Sequence, residues 1–327
     1  MGTIAGVLQI LLVTFPFFAL VLCGYLAANR RWLPLEAIAG LNSFVLFFAL
    51  PCMLYRFGAS TPLAQLLDAG VFFTWTLCAL MTVGLTIAIS KNQRIGWNDA
   101  SFGALVAAFP NTGFMGVPLL VALLGPKAAG PMILTLLIDM VITTSLCIAL
   151  SRLDGADEHG VSKAAVKALK GVATNPLPWS ILLGALASAL KLELPRPAMQ
   201  TVALLADAAS PVALFTIGAV LARSQALATI KKHAPIPLRD YVPVAAIKLL
   251  LHPLLVLLLG TAAIALGLPL NRFALTVIVL AAALPSASNV SLLAERFGAD
   301  NGRIARIILL STAAAFFSFS LAVSLLT

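Results

Sequence analysis

The sequence predicts an all-α polytopic membrane protein, with ten transmembrane helices arranged as two inverted five-helix repeats and the fourth and ninth helices broken. Three observations carry this. The chain has 327 residues, of which 61% are apolar and only 10% charged, too little polar surface for a water-soluble domain of ordinary composition. Its charges gather between apolar runs of roughly 20 residues, the length a helix needs to cross a bilayer. Two of those runs are interrupted in mid-course by the same kind of motif, a proline followed by small polar residues.

Taken in order, the spans are Ile4–Ala28, Ala37–Phe57, Leu66–Ser90, Ala100–Leu124, Ala128–Leu150, Pro176–Leu190, Met199–Leu221, Val242–Leu266, Leu270–Phe297 and Ile304–Leu326. No charged residue precedes the first run, which is longer than a signal-peptide core, so it reads as a helix of the working protein. The sixth is short and carries Pro176 and Pro178 near its start. Cys23, Cys52, Cys78 and Cys147 all fall within spans without Cys-x-x-Cys spacing, as small lipid- or core-facing residues do. Of the 21 Lys and Arg, fifteen lie in one alternating set of loops and five in the other. The positive-inside rule puts the richer set in the cytoplasm, which leaves both termini periplasmic if the membrane is a bacterial inner membrane. The net charge of +9 is thus a matter of topology and contact with anionic lipid, not of nucleic-acid binding.

An internal repeat supports two halves. Gly24 answers Gly184 and Pro51 answers Pro211, both at an offset of 160, while Pro34 answers Pro195 at 161. Further along, Phe109-Pro110-Asn111-Thr112 faces Leu284-Pro285-Ser286-Ala287 at 175, the added length fitting a longer link at Arg223–Asp240. Five is an odd number of crossings, so the second half must enter the membrane from the opposite side. The expected organisation is a first repeat over 1–151, a cytoplasmic linker over 152–174 and a second repeat over 175–327. Within the linker, Ser162–Gly171 reads as a short basic amphipathic helix on the membrane surface. Inverted repeats of this kind recur in alternating-access transporters, with substrate sites near the midplane where discontinuous helices meet.

The broken helices are the strongest pointer to chemistry. The fourth span contains Phe109-Pro110-Asn111-Thr112-Gly113-Phe114-Met115-Gly116-Val117-Pro118. Proline removes an amide donor and clashes with the preceding turn, so the hydrogen-bond ladder should break near Pro110. The ninth repeats the event as Leu284-Pro285-Ser286-Ala287-Ser288-Asn289. A half-helix beginning after such a break presents unpaired N–H groups and the positive end of its dipole, which suits an anion. Pro110, Asn111, Thr112, Gly113, Pro285, Ser286, Ser288 and Asn289 are therefore the candidate substrate site, their side chains adding donors without a permanent charge in lipid.

Four ionisable residues fall within spans: Asp139, Asp207, Lys248 and His252. Such residues are costly in lipid and are read as functional by default. Asp139, about ten apolar residues from either end of its span, is expected either to carry a proton, to bind Na⁺, or to form a buried pair with Lys248. Asp207 lies four residues before Pro211 and either relays charge or braces a kink there. Lys248 and His252 share one helix face a turn apart, and Lys248 is expected either to relay charge or to snorkel to the membrane surface. No organic cofactor and no catalytic group is expected.

The segment Pro110-Asn111-Thr112-Gly113-Phe114-Met115-Gly116-Val117-Pro118 resembles the fourth-helix motif of the auxin efflux carrier family. Pro211 to Gly218, Lys248 to Pro253 and Leu284 to Val290 are similar to bacterial members, including those described as malonate transporters, and the likeness runs over nearly the whole chain. The resemblance implies a fold like that of bile-acid sodium symporters, with spans one, two, six and seven as scaffold and the others moving, and a homodimer through the scaffold. It also implies a carboxylate site where the fourth and ninth helices cross, here Pro110-Asn111 against Pro285-Ser286. The Ser-Ala-Ser-Asn after Pro285 departs from the plant pattern, so auxin specificity does not carry over.

The expected function is thus secondary transport of a small organic anion, malonate or a similar carboxylate, coupled to H⁺ or Na⁺. Two other classes compete. A passive anion channel would share the composition. An intramembrane aspartyl protease would use Asp139 and Asp207, but neither stands in a Gly-x-Gly-Asp segment.

Overall fold

The computed structural model describes residues 2–60, 68–153, 176–230 and 236–326. The linker expected over 152–174 lies outside the described residues apart from its first two, and its amphipathic helix at 162–171 wholly so. Among the described residues all regular structure is helical. We number the helical elements α1 (Gly2–Asn29), α2 (Ala37–Ser60), α3 (Ala69–Ser90), α4 (Trp97–Ala108), α5 (Thr112–Leu124), α6 (Pro126–Leu150), α7 (Pro176–Leu190), α8 (Arg196–Ile230), α9 (Val242–Ala265), α10 (Arg272–Ala282), α11 (Asn289–Arg296) and α12 (Asn301–Leu326). Six of them, α2, α3, α6, α8, α9 and α12, are long and apolar enough to cross a bilayer, while shorter apolar helices include α5, α7 and α10. The protein is a polytopic, helical membrane protein.

Local chemistry explains the helix boundaries. Asp68 caps α3 by accepting from the Val71 N–H at 2.9 Å, and Asn271 caps α10 by accepting from the Ala274 N–H at 2.7 Å, each satisfying an orphan amide of a first turn. Four helices contain a π turn: Val45–Ala49 in α2, Thr112–Gly116 in α5, Asp139–Thr143 in α6 and Ile247–Leu251 in α9. Three of these end two residues before a proline, Pro51, Pro118 and Pro253. Proline has no N–H and its ring strikes the carbonyl one turn back, and a widened turn takes up that conflict. The fourth has no proline; there the Thr144 hydroxyl donates to the Asp139 carbonyl at 2.7 Å.

The chain divides into two compact units. The first comprises residues 1–67, 113–133 and 175–233, and so holds α1, α2, α7 and α8 together with α5 from Gly113 onward and the start of α6. Its helices meet at glycines. A Cβ on Gly24 of α1 would overlap the Phe215 carbonyl of α8, and one on Gly218 of α8 would overlap the Val21 carbonyl of α1. Likewise a Cβ on Gly58 of α2 would lie 2.8 Å from the Ile181 carbonyl of α7, and one on Gly184 would overlap the Tyr55 carbonyl of α2. In lipid, where apolar burial drives nothing, such close backbone approach is what holds helices together. The shift of 160 that takes Gly24 to Gly184 also takes Gly58 to Gly218, so the one operation exchanges the α1–α8 crossing with the α7–α2 crossing. Gly218→Ala should therefore force α1 and α8 apart at a cost of about 1–3 kcal/mol, read as a lower melting temperature in detergent. An unchanged melting temperature would mean that the crossing is not tight.

The second unit comprises residues 68–112, 134–174 and 234–327. At the end where α4, α9 and α12 begin, it is tied together by Arg303, which is 2% exposed. Its Nε donates to the Asp240 carbonyl at 2.6 Å and its Nη1 to the Asp99 carbonyl at 2.8 Å. Asp300 caps α12 by accepting from the Arg303 amide at 3.0 Å, and the Asp300 amide in turn donates to the Asp99 carboxylate at 2.7 Å. Gly103 leaves the space the guanidinium occupies, since a Cβ there would sit 2.7 Å from Nη1.

Candidate functional site

The second unit brings the two proline motifs together. α4 ends at Ala108 and α10 at Ala282, each a short distance before its proline. The two extended stretches that follow run antiparallel and pair as an isolated bridge between Pro110 and Ser286. The Asn111 N–H donates to the Pro285 carbonyl at 2.8 Å, and the Ala287 N–H donates to the Phe109 carbonyl at 3.0 Å. Irregular backbone at membrane depth must find internal partners, and here each broken helix supplies the other's. A shift of 175 takes Pro110 to Pro285 and Asn111 to Ser286, so exchange of the halves maps the bridged pair Pro110–Ser286 onto the hydrogen-bonded pair Pro285–Asn111.

This pairing corrects the expectation that amides immediately after the prolines stand free. The Thr112 N–H turns back to the Pro110 carbonyl at 2.7 Å, and the Ser286 N–H donates to the Ser311 hydroxyl at 3.2 Å. Of the amides from Ser286 to Ser291, those of Ser288 and Asn289 engage no partner among the described residues. They open the first turn of α11, which has no side-chain cap. Two buried side-chain oxygens nearby are also unsatisfied, Thr112 Oγ1 and Asn289 Oδ1. Pro110, Asn111, Thr112, Pro285 and Ser286 are all buried, and Ser288 and Asn289 are partly exposed. Gly113, buried at the start of α5, groups with the first unit. Buried unsatisfied donors and acceptors are rare enough to mark a place where a polar ligand would be welcome. Ser311 of α12 was not singled out from the sequence; its hydroxyl lies 3.1 Å from Ser286 Oγ, and a serine in an apolar span carries no distinguishing signal.

A second polar feature of the same unit gathers three of the four intramembrane ionisable residues. Asp139, Lys248 and His252 are each fully buried. Asp139 Oδ1 accepts from Trp75 Nε1 and from Thr143 Oγ1, both at 3.0 Å, while Oδ2 has no partner. Lys248 Nζ donates to the Ala282 carbonyl at 2.7 Å and lies 3.2 Å from His252 Nδ1. The His252 ring lies 5.3 Å from the Trp75 ring, and its Nε2 is unsatisfied. Two expectations are corrected here. Lys248 does not snorkel to the surface, because the carbonyl at the end of α10 gives it an acceptor inside the protein. Nor do Lys248 and Asp139 form an ion pair: the three pairs among the described residues are Arg56–Asp207, Arg94–Asp240 and Arg239–Asp240. Trp75 and Thr143 were missed, since an indole and a hydroxyl in apolar spans look like ordinary packing until their partner is known.

Asp207 does not join this cluster. It belongs to the first unit, where its carboxylate accepts from Arg56 at 2.7 Å and its side chain is 67% exposed. The helix α8 that carries it continues through Pro211 to Ile230.

The sequence profile of a family described as "Membrane transport protein" matches residues 10–323, nearly the whole chain and both motifs of the crossover. The chain belongs to this family. It is the auxin efflux carrier family whose fourth-helix motif Pro110 to Pro118 resembles, and membership makes the protein a transporter and not an intramembrane protease. Among relatives in the family, the chain is 30% identical over 298 residues to a protein of Rhizobium meliloti (strain 1021) named "Putative malonate transporter", covering 91% of this chain and 89% of that one. It is 26% identical, over 86% of each chain, to the "Uncharacterized transporter YfdV" of Escherichia coli (strain K12) and to its namesake in Shigella flexneri.

Proposed function

We propose that the protein is a secondary active carrier that moves a small organic anion, malonate or a similar carboxylate, across the bacterial inner membrane by alternating access, with the anion held where the fourth and ninth spans cross. The observation that carries this reading is the antiparallel meeting of two broken helices at Pro110 and Ser286. Around it, the free amides of Ser288 and Asn289 and the side chains of Asn111 and Thr112 offer donors to a carboxylate without a fixed charge. The name of the Rhizobium meliloti relative supports a dicarboxylate.

The same reading takes α4 with α5 as the fourth span and α10 with α11 as the ninth, which makes ten spans in two inverted halves with both termini periplasmic. Its support is the exchange of equivalent contacts by shifts of 160 in the first unit and 175 in the second. The close backbone crossings of α1 with α8 and of α2 with α7 favour these four helices as scaffold, against which the crossover helices move. An ion held at Asp139 drives accumulation.

Counterflow in proteoliposomes tests the reading. Vesicles loaded with unlabelled malonate should take up labelled malonate transiently above equilibrium, and Asn111→Ala and Asn289→Ala should raise the half-saturating concentration about tenfold, each lost charge-assisted hydrogen bond contributing about 1.5 kcal/mol. Uptake that simply equilibrates, with no overshoot for any mono- or dicarboxylate, would indicate a channel.

A further inference from the structure

We propose that the ion coupled to transport is a proton seated on Oδ2 of Asp139, in a cluster unsuited to sodium. The inference rests on the carrier reading above, in which Asp139 holds the coupling ion. Four helices meet at the cluster: α3 brings Trp75, α6 Asp139 and Thr143, α9 Lys248 and His252, and α10 its last carbonyl, that of Ala282. Both hydrogen bonds to the Asp139 carboxylate fall on Oδ1, and Oδ2 is buried without a partner. A proton requires one free oxygen. Placed on Oδ2 it converts the carboxylate to the neutral acid, leaves both bonds to Oδ1 standing, and departs as H⁺, with no other bond made or broken.

Sodium would ask for something different. Hard cations are held by a shell of several oxygens, and what faces Asp139 is mostly the reverse. The Trp75 indole N–H is a donor only. Beyond the carboxylate, the oxygens brought to it are the Thr143 hydroxyl, which donates to Oδ1, and the Asp139 carbonyl, which already accepts from the Thr144 hydroxyl, fewer than the shell a hard cation takes. A protonated Lys248, fully buried in the same cluster, would oppose a second cation there. Besides Lys248 and His252 from α9, the titratable groups of the helices that form the cluster include the buried Cys147 further along α6 and the buried Cys78 on α3.

The seat also reaches the crossover. Lys248, which interacts with the Asp139 charge, holds the final carbonyl of α10 at 2.7 Å, three residues before Pro285. Loss of the charge on Asp139 changes what Lys248 is balanced against, and so the hold on the end of the half-helix that carries Ser286.

Trp75 provides a readout that needs no transport. With Trp32, Trp97 and Trp179 replaced by phenylalanine, Trp75 is the one tryptophan left, and its indole N–H reports directly on the carboxyl it touches. In sodium-free buffer the emission should titrate with pH, the titration should persist in His252→Gln, and it should vanish in Asp139→Asn. Sodium chloride at fixed pH should change nothing. Asp139→Glu, which keeps the carboxyl, should move the midpoint without abolishing the titration, and stands in if the asparagine variant does not fold. A pH-independent emission, a titration that survives Asp139→Asn, or a saturable response to Na⁺ that Asp139→Asn removes would each overturn the proposal. Failure of the carrier reading looks different: the pH titration would persist while counterflow was absent.

Discussion

Arg303→Ala is expected to be the most destabilising single change in the second unit, at about 3–5 kcal/mol, the range for removing one partner of a buried charged network. The guanidinium closes two backbone carbonyls, those of Asp99 and Asp240, that begin different helices. Its removal breaks both contacts and takes away a cation that faces the carboxylates of Asp99, Asp300 and Asp240, of which Asp240 keeps Arg94 and Arg239. Arg303→Lys keeps the charge but not the planar fork, and should recover only part of the loss. Gly103→Ala should act through the same contact by pushing a methyl group against Nη1. Thermal unfolding in detergent, followed by size exclusion, checks all three. If Arg303→Ala melts with the parent protein, the network is incidental and the three helices are held by their apolar contacts alone.

The largest functional effect is expected at Asp139. Asp139→Asn keeps the size of the side chain and an oxygen able to accept from Trp75 and Thr143, yet cannot gain or lose a charge at working pH. Gradient-driven accumulation of a carboxylate should fall to the equilibrium level, while exchange of labelled for unlabelled substrate across the membrane persists. The comparison separates coupling from binding. Full uphill uptake by this variant would leave the carboxylate a purely structural acceptor for the indole of Trp75, and loss of exchange as well would place it in the binding step.

How much of this was legible beforehand depends on the kind of interaction. Pro110 and Pro285 announced their breaks because a missing amide donor is a property of the residue itself, and α4 and α10 do stop at Ala108 and Ala282. Gly24 and Gly184 stood out as a spaced pair for the same reason. The partners of the buried charges were not legible. Lys248 and Asp139 looked like an ion pair on charge alone, but Lys248 finds the carbonyl of Ala282, an acceptor that exists only because α10 ends there. No composition records the position of an unsatisfied helix terminus. Asp207 sits within α8, and its partner there is Arg56, a residue 151 positions away that no spacing in the sequence singles out. The open donors stand a few residues beyond the prolines for a related reason: the two broken ends satisfy each other, which leaves the amides of Ser288 and Asn289 free.

The four π turns bear on how such helices could rearrange. A turn that holds one extra residue is a dislocation in the helical lattice, and each residue of an α-helix advances the azimuth by about 100°. The portions of α2, α6 and α9 on either side of the fault are therefore out of phase, so one span presents two differently oriented stripes. A dislocation can also glide: passing the fault one residue along the axis reorients a single side chain by a large angle while the helix keeps its length and the number of its hydrogen bonds. Asp139 and Lys248 both stand on such faults, where a change of direction requires no unwinding.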